Sequence, residues 1–513
     1  MSTGPDDHLP PGWFNSPLLD VVEINPPNPV RLPADADPVS FVPMAAVTAI
    51  SGEVDLSEQR RWGQVKKGYT RFQDGDVIFA KITPCMENGK SAVVRSLHGG
   101  VGAGSTEFHV LRPTLAVEAD LLRYYVLQET FRKAARHNMT GTAGQLRVPV
   151  RFIEEQVLPV PPVPEQHRIV ASIEDYFSRL DEAVALLERV QRNLKRYRAS
   201  VLKAAVEGRL VPTEAELART EGRTYEPASV LLERILEERH RRWEQSGRKG
   251  KYQEPAAPDT TDLPKLPDGW CWASLDQFLV AIEAGKNFRC EERQPNHGEV
   301  GVVKVSAVTW GTFNEEETKT CTRTDFVDPA NFIEEGDFLF SRANTIELVG
   351  ACVRVHAVRG QVMLSDKILR LRFVGGMDSW ILWFLRSNWG RRAIESLASG
   401  NQESMRNISQ ANLARIRIPL PPLPECNRIV GAIEHAMTVV GSTERDLAAD
   451  LARLVRLRQS ILKWAFEGRL ADQDPADEPA SVLLERIRAE RAASGAAPKL
   501  TRRGRPKRQG TPA

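Results

Sequence analysis

The 513-residue chain carries 69 Lys and Arg against 67 Asp and Glu, and 42% of its residues are hydrophobic. This balance excludes a wholly disordered chain, and the length predicts about three domains. The longest apolar runs fall far short of the ~20 residues that a membrane span needs, and the pattern from Met1 to Trp13 indicates no secretory signal. The six cysteines form no C-x-x-C pair, which argues against a zinc site or disulfide framework and favours a reduced, cytoplasmic protein.

The chain is an internal duplication. The first copy contains LPPGW (9–13), VPPVPEQHRIV (160–170), SVLKAAVEGRL (200–210) and PASVLLERI (227–235). The second copy contains LPDGW (266–270), LPPLPECNRIV (420–430), SILKWAFEGRL (460–470) and PASVLLERI (479–487). A repeat of this period predicts two similar halves in the order globular, helical, globular, helical.

Each half contains a long amphipathic helix. Apolar residues recur every three or four positions from Ile169 to Val201 and from Ile429 to Ile461, with Gly208 and Gly468 as predicted stops. Each helix would run roughly 65 Å at ~1.5 Å per residue, so pairing of the two stripes as a coiled coil is expected. Either direction is sterically open, antiparallel pairing would relate the halves by a pseudo-twofold axis, and the PASVLLERI helices are expected to cap the pair.

The globular parts, called here the first head (up to residue 163) and the second head (251–423), are predicted to be mixed α/β. In the first head the expected strands are 76–82, 91–95 and 107–111, followed by a helix over 118–137. In the second head the expected strands are 301–308, 337–341, 351–356 and 368–373, followed by a helix over 378–397. Matching GDVIFAK with GDFLFSR places Asp76 opposite Asp337. Similar helices joining dissimilar heads indicate one scaffold that presents two different surfaces.

Catalytic motifs are weak throughout the chain. Asn25–Pro27 reads NPP, but Asn28 follows where an amino-methyltransferase would carry a base-stacking aromatic, so a Pro-rich turn is favoured. Gly89-Lys90-Ser91 resembles the end of a P-loop but lacks the preceding glycine, since Pro84 stands there. The nine histidines form neither an H-E-x-x-H motif nor a close cluster, which argues against a metal site.

Both heads contain candidate residues for nucleic-acid binding. Basic residues interleaved with aromatics suit contact with phosphates, and Lys, Arg, Asn and Gln can reach base edges. A solvated charged hairpin is the alternative for the cluster over residues 60–71. In the first head the candidates are Arg60, Arg61, Lys66, Lys67, Tyr69, Arg71, Lys81, Asn88, Lys90, Gln145 and Arg147. In the second head they are Lys286, Arg289, Arg342, Asn344, Gln402 and Arg406. The stretches 141–147 and 400–406 are expected to be matching polar loops.

The tail is basic. The stretch 499–508 holds six Lys and Arg and no acidic residue, so the rest of the chain is slightly acidic and would bind nucleic acid only through local patches. Arg503-Gly504-Arg505-Pro506 resembles the core of an AT-hook, which enters a narrow minor groove. A disordered tail with nonspecific attraction is the favoured interpretation.

Two heads that each close with a (I/L)PxPPxxEQxxIV-like segment and a long helix ending in EGRL resemble the specificity subunit of type I restriction–modification systems. The GDxxFxK/R motif at 75–81 and 336–342 also fits, whereas Cys426 departs from the expected Gln. The resemblance covers nearly the whole chain. It implies an N-terminal target recognition domain at 1–163, a first long helix, cap helix and linker at 164–250, a C-terminal target recognition domain at 251–423, a second long helix and cap helix at 424–495, and a disordered basic tail at 496–513.

The resemblance implies a noncatalytic DNA-recognition subunit. Each head would read one half of a bipartite site in double-stranded DNA, and an antiparallel coiled coil would set the spacing. Two adenine-N6 methyltransferase subunits would dock on it, restriction subunits could join, and these partners would bring S-adenosylmethionine, ATP and Mg. No cofactor, metal or membrane is expected for this chain itself. A coiled-coil scaffold without sequence readout and a stand-alone DNA-modifying enzyme are the alternatives.

Overall fold

The computed structural model describes residues 9–142, 144–247, 250–287, 289–402 and 405–493. Two compact units share them: the first unit holds the described residues up to Leu187 together with those from Ala448, and the second unit spans Glu188–Leu447. Each unit therefore contains one head and segments of both long helices. None of the helices in the described part of the chain is long and apolar enough to cross a membrane.

The first head is built on two four-stranded sheets. One has the antiparallel order Val22–Ile24, Phe108–Pro113, Val77–Ala80, Ser91–Val93, and the other has the order Gln59–Arg61, Pro38–Val42, Val101–Gly104, Thr70–Gln73 with one parallel pair. A ribbon pairs Phe14–Pro17 with Val157–Val160, and a hairpin pairs Thr140–Thr142 with Gln145–Arg147. The helices are Leu18–Val21, Trp62–Val65, Ala119–Leu127, Glu129–His137 and Val150–Glu154, with 3-10 turns at Met44–Ala46 and His98–Gly100.

The second head repeats the four-stranded sheet, in the order Leu279–Ala284, Ile368–Phe373, Phe338–Ser341, Cys352–Arg354. Two three-stranded sheets follow. One has the order Thr318–Cys321, Val300–Val303, Val362–Met363, and the other has the order Ala343–Asn344, Met405–Asn407, Ser399–Gln402. A ribbon pairs Cys271–Ser274 with Arg417–Leu420. The helices are Leu275–Phe278, Asp378–Arg386, Asn388–Leu397 and Gln410–Ala414, with 3-10 turns at Val305–Ala307, Thr324–Phe326 and Pro329–Asn331. The predicted mixed α/β class is confirmed.

The predicted helices at 118–137 and 378–397 are each two helices. The backbone is extended at Gln128 (ψ 140°) and at Ser387 (ψ 164°), which breaks the helical hydrogen-bond ladder. The Ser387 hydroxyl accepts from the Gly390 N–H at 3.2 Å and starts the next helix as an N-cap. The apolar pattern continues across both breaks, so periodicity alone could not reveal them.

The aspartate of the repeated GD motif is buried in both heads. Asp76 accepts from Nε and Nη2 of Arg112 at 2.8 and 2.9 Å. Asp337 accepts from Arg370 at 3.1 Å and from Arg372 at 2.8 Å. Each pair joins neighbouring strands of the main sheet, so the motif holds the sheet together, and a buried carboxylate requires this pairing.

The long helices are Val163–Val206 and Leu423–Phe466, of 44 residues each. In the first unit Asp181, close to the middle of the first long helix, forms an ion pair with Arg458, towards the end of the second. In the second unit Arg198 pairs at 3.0 Å with Glu444. The later residue on the first helix (Arg198) pairs with the earlier residue on the second (Glu444), so the helices pair antiparallel.

Three of the repeated motifs, LPxGW, EGRL and PASVLLERI, meet at one junction in each unit. In the first unit the Ala480 N–H, from PASVLLERI of the second half, donates to the Gly12 carbonyl at 2.9 Å, and Gly468 of EGRL packs on the ring of Pro10. In the second unit the equivalent bond joins Ala228 to Gly269 at 2.8 Å. Gly208 and Gly468 both have positive φ, as the predicted stops require.

The two PASVLLERI helices are Ala228–Gln245 and Ala480–Ala493, and each contributes side chains to the core of one head. Leu484 and Ile487 lie in the core of the first head, whereas Leu231 and Ile235 lie in that of the second. Each helix therefore packs on the head contributed by the other half of the chain. The same cores contain residues from the ends of the long helices, such as Leu462 and Leu202, so these short helices contact the heads in addition to the predicted helix pair.

Candidate nucleic-acid interface

In the first head, the loop over 81–90 and the hairpin over 140–147 share one edge of the main sheet. The Val148 N–H donates to the Lys81 carbonyl at 2.8 Å, and the Thr83 N–H donates to the Leu146 carbonyl at 3.1 Å. Lys81 is half-buried, whereas Asn88 and Gln145 are exposed. The structure therefore brings together two stretches that sequence analysis singled out separately.

The second head has the same arrangement. The Ile408 N–H donates to the Arg342 carbonyl at 2.9 Å, and Asn344 pairs with Arg406 in a three-stranded sheet. The Asn344 side-chain oxygen accepts the Thr345 N–H at 2.9 Å. Nε of Arg406 is buried and has no hydrogen-bond partner among the described residues. The backbone of Gln402 pairs with Met405, and its side chain lies outside the described part of the chain.

The two hairpins differ in length by one residue. Thr140 pairs with Arg147 in the first head, and Ser399 pairs with Asn407 in the second. Ile82 bridges to Arg147 just as Ala343 pairs with Asn407. Arg147 therefore corresponds to Asn407, and the alignment of Arg147 with Arg406 is off by one residue. The extra residue shifts the register on one strand only.

The charge beside the hairpin is opposite in the two heads. Arg147 forms two hydrogen bonds of 2.9 Å with the Glu107 carboxylate, and this contact lowers the pKa of Glu107. The Lys81 N–H donates to the Glu107 carbonyl, and the equivalent Arg342 N–H donates to that of Lys367. A lysine thus takes the place of the acid in the second head, which leaves its edge more positive.

Lysines converge on a cleft in the second head. The cleft has a volume of about 300 Å³, and its polar lining comprises Lys286, Asn287, Lys304, Ser306, Lys319, Ser365, Asp366 and Lys367. Four lysines against one aspartate suit a polyanion such as a nucleic-acid backbone. Lys286 was predicted from the sequence and the other three were not, because they stand on separate segments and show no local pattern. Lys304 follows the strand Val300–Val303, Lys319 stands on Thr318–Cys321, and Lys367 lies in the turn before Ile368–Phe373.

The basic cluster over 60–71 is largely satisfied within the first head. The Arg60 guanidinium lies 3.5 Å from the centre of the Phe41 ring and pairs with Glu58 at 2.7 Å. Lys66 pairs with Asp35 at 2.6 Å. The Arg71 guanidinium donates to the side-chain oxygen of Asn28 at 2.9 Å, and the Tyr69 ring packs edge-on against Phe41. These contacts favour the charged-hairpin interpretation for Arg60, Lys66 and Arg71.

The other candidates divide between structural and exposed positions. Lys90 donates to the Met44 carbonyl at 2.8 Å, so it ties its loop to the head. Arg61, Lys67, Lys286 and Arg289 are exposed. The basic tail lies outside the described residues.

A buried histidine supports the first hairpin and was not found from the sequence. Nε2 of His109 lies 2.8 Å from the Val148 carbonyl, so this nitrogen carries the proton and Nδ1 accepts from the Asn25 amide at 3.1 Å. Burial lowers the pKa of His109 to about 4. Asn25 also accepts the Val110 N–H at 3.0 Å, so the NPP segment is a structural turn. In the described part of the chain, no group of three or more His, Cys, Asp or Glu residues could hold a metal ion.

Known proteins are similar to this chain in sequence. Residues 10–195 match the family described as the type I restriction modification DNA specificity domain. The type I restriction enzyme EcoEI specificity subunit of Escherichia coli is 32% identical over 481 residues, covering 84% of this chain and 78% of that protein. The EcoAI specificity subunit of Escherichia coli is 28% identical over 482 residues, covering 83% and 78%.

A solved structure shares the fold. A chain from work on complex assembly and conformational transition of the type I R-M system aligns with a TM-score of 0.58 and 21% identity, covering 90% of this chain and 99% of that one. Two similar heads on antiparallel helices, each with a polar loop and hairpin at one edge, define a two-headed recognition scaffold. The chain belongs to the family of type I restriction enzyme specificity subunits.

Proposed function

We propose that this chain is the noncatalytic, sequence-specific DNA-recognition subunit of a type I restriction–modification complex. Each head reads one half of a bipartite site in double-stranded DNA. The observation that carries this proposal is the presence of the same loop-and-hairpin edge in both heads, with different side chains on it. Equivalent placement suits a common mode of binding, and different side chains suit different base sequences.

The paired helices set the distance between the two half-sites and carry the docking surface for two methyltransferase subunits. Apolar side chains remain partly exposed along both helices, which fits a surface that a protein partner covers. Their exposed fractions are 43% for Tyr176, 52% for Leu186, 49% for Val439, 67% for Val455 and 39% for Trp464.

The partners supply the chemistry. An adenine-N6 methyltransferase would bind S-adenosylmethionine, and restriction subunits would add ATP- and Mg-dependent cleavage. This chain would contribute binding, orientation and spacing, and it would act in the cytoplasm beside its DNA.

The test is to co-express the chain with the methyltransferase subunit of its system and map methylated adenines across the host genome. A bipartite motif with a fixed gap that disappears without this chain supports the proposal. Exchanging residues 14–157 for the first head of a relative should then change one half-site and leave the other. Methylation at a continuous motif, or without the chain, would favour a scaffold without readout, and methylation by the isolated chain would favour a stand-alone enzyme.

A further inference from the structure

Two cysteines of the second head stand opposite each other, Cys321 at the end of the strand Thr318–Cys321 and Cys290 in the segment bridged to it. Glu291 and Thr320 exchange two backbone hydrogen bonds of 3.0 Å each and form an antiparallel bridge. Cys290 precedes Glu291, and Cys321 follows Thr320. In an antiparallel pair these positions are directly opposite, one step along from the bridge.

The backbone geometry at this position suits a disulfide. The pair next to a hydrogen-bonded pair is a non-hydrogen-bonded pair, whose Cα atoms lie ~4.5 Å apart. Disulfides form at Cα separations of ~4.4–6.8 Å. On the other side of the bridge, Glu292 and Lys319 form an ion pair between the same segment and strand, so side chains on this face do meet.

Both thiols can be reached by a small oxidant. Cys290 and Cys321 are half-buried, and Cys290 lines the lysine-rich cleft together with Lys319. Burial raises the pKa of Cys290, and the neighbouring Cys321 adds to this effect. The reaction of the pair should therefore accelerate as the pH rises, since the thiolate is the nucleophile.

We propose that Cys290 and Cys321 are a redox-modification site that forms a reversible cross-strand disulfide with peroxide as the oxidant. One thiolate attacks a peroxide oxygen, the O–O bond breaks, and a sulfenic acid and a hydroxide form. The hydroxide takes up the proton that this thiol released and becomes water. The second thiolate attacks that sulfur, the S–O bond breaks, and the S–S bond forms. The leaving hydroxide takes up the proton of the second thiol and becomes a second water. Two thiols lose two electrons and two protons, and one hydrogen peroxide becomes two waters.

The disulfide has a consequence for DNA binding that rests on the proposed function. Cys290 follows the exposed Arg289 directly and borders the cleft that Lys286 also lines. Linking Cys290 to the strand Thr318–Cys321 restricts these basic residues before DNA arrives, which lowers the ordering cost of binding. The oxidised chain should therefore bind its preferred DNA about threefold more tightly than the reduced chain.

The test treats the reduced, full-length chain with hydrogen peroxide, alkylates the remaining thiols and maps disulfides by mass spectrometry without reductant. The expected product links the peptides of Cys290 and Cys321, is two hydrogens lighter than the reduced pair, and disappears with dithiothreitol. C290S and C321S should each abolish it, and C85S, which removes a half-buried cysteine of the first head, should leave it. Alkylation of both thiols after oxidation, or equal linkage through Cys85, would overturn the proposal.

DNA affinity is measured on the same samples. A ratio near three that vanishes in C321S supports the effect on binding, and equal affinities with the disulfide formed overturn that effect alone. A chain that binds no DNA in either state contradicts the proposed function, whereas the mass measurement still decides the disulfide.

Discussion

The indole N–H of Trp13 donates to Oε1 of Glu165 at 3.0 Å, and so links the start of the first head to the start of the first long helix. Trp270 donates to Glu425 at 2.9 Å in the second unit. Glu425 also accepts the Glu214 N–H at 2.8 Å. Burial raises the pKa of both carboxyl groups, so each depends on its donors.

Trp13→Phe should therefore destabilise the protein more than Trp270→Phe. Both changes remove similar volume. Trp270→Phe leaves Glu425 the Glu214 N–H as a donor, whereas Trp13→Phe removes the indole donor to Glu165. Loss of a donor to a buried carboxylate costs about 1–3 kcal/mol. Urea unfolding of both variants measures this difference. In a Glu165→Gln background the cost of Trp13→Phe should shrink, and an unchanged cost would show that packing alone accounts for it.

Acid should weaken the first head through His109. Its pKa falls from an ordinary 6.5 to about 4 in the folded state, so the folded form binds the proton less well than the unfolded form. The contribution of neutral His109 to the free energy of unfolding is present above pH 6.5 and is lost as the pH falls towards 4. Between pH 7 and 5 this loss is about 2 kcal/mol. Comparing the melting temperatures of the wild type and His109→Gln at both pH values isolates this contribution. Equal pH dependence in the two proteins would assign the effect to other groups.

Shortening the paired helices should change the gap between half-sites. Because Asp181 meets Arg458 within the first unit, residues 181–187 lie opposite 452–458, and deleting both stretches keeps the seven-residue pattern. Each helix loses about 10 Å, which corresponds to about three base pairs at 3.4 Å each. Methylation mapping should find both half-sites unchanged around a shorter gap. An unchanged gap would show that the helices do not measure the spacing.

Arg342→Ala should weaken binding of the preferred DNA by about 1–3 kcal/mol if the residue contacts a base. The guanidinium stands at the hairpin edge of the second head and donates to Asn407 at 3.4 Å, a weak contact that leaves it available. Arg354→Ala is the matched control, because Arg354 pairs with Phe338 at the opposite end of the same sheet. Equal affinities of the wild type and Arg342→Ala would exclude this contact.

Deleting residues 498–513 should lower nonspecific affinity more than specificity. The removed segment contains Lys499, Arg502, Arg503, Arg505, Lys507 and Arg508. Fewer displaced counterions should reduce the slope of log affinity against log salt. Binding of preferred and random duplexes across a salt series checks this, and a selective loss at A·T-rich sites would support the AT-hook instead.

The sequence could predict the features that arise within one segment. The spacing of apolar residues from Ile169 to Val201 gave a long helix, and Gly208 gave its end, because helical periodicity and a positive φ are local properties. The duplication and the family resemblance followed from motifs that can be read side by side.

Tertiary structure decided which of those motifs meet. LPxGW and PxPE of one half join EGRL and PASVLLERI of the other, a pairing that no spacing along the chain records. It also decided which charges remain for a ligand. Arg60 and Lys66 are held by Phe41 and Asp35, whereas Lys319, on a strand, and Lys367, in a turn, reach one cleft from separate parts of the chain. Ion pairs and clefts depend on distances between residues far apart in sequence, and only the folded chain fixes those distances.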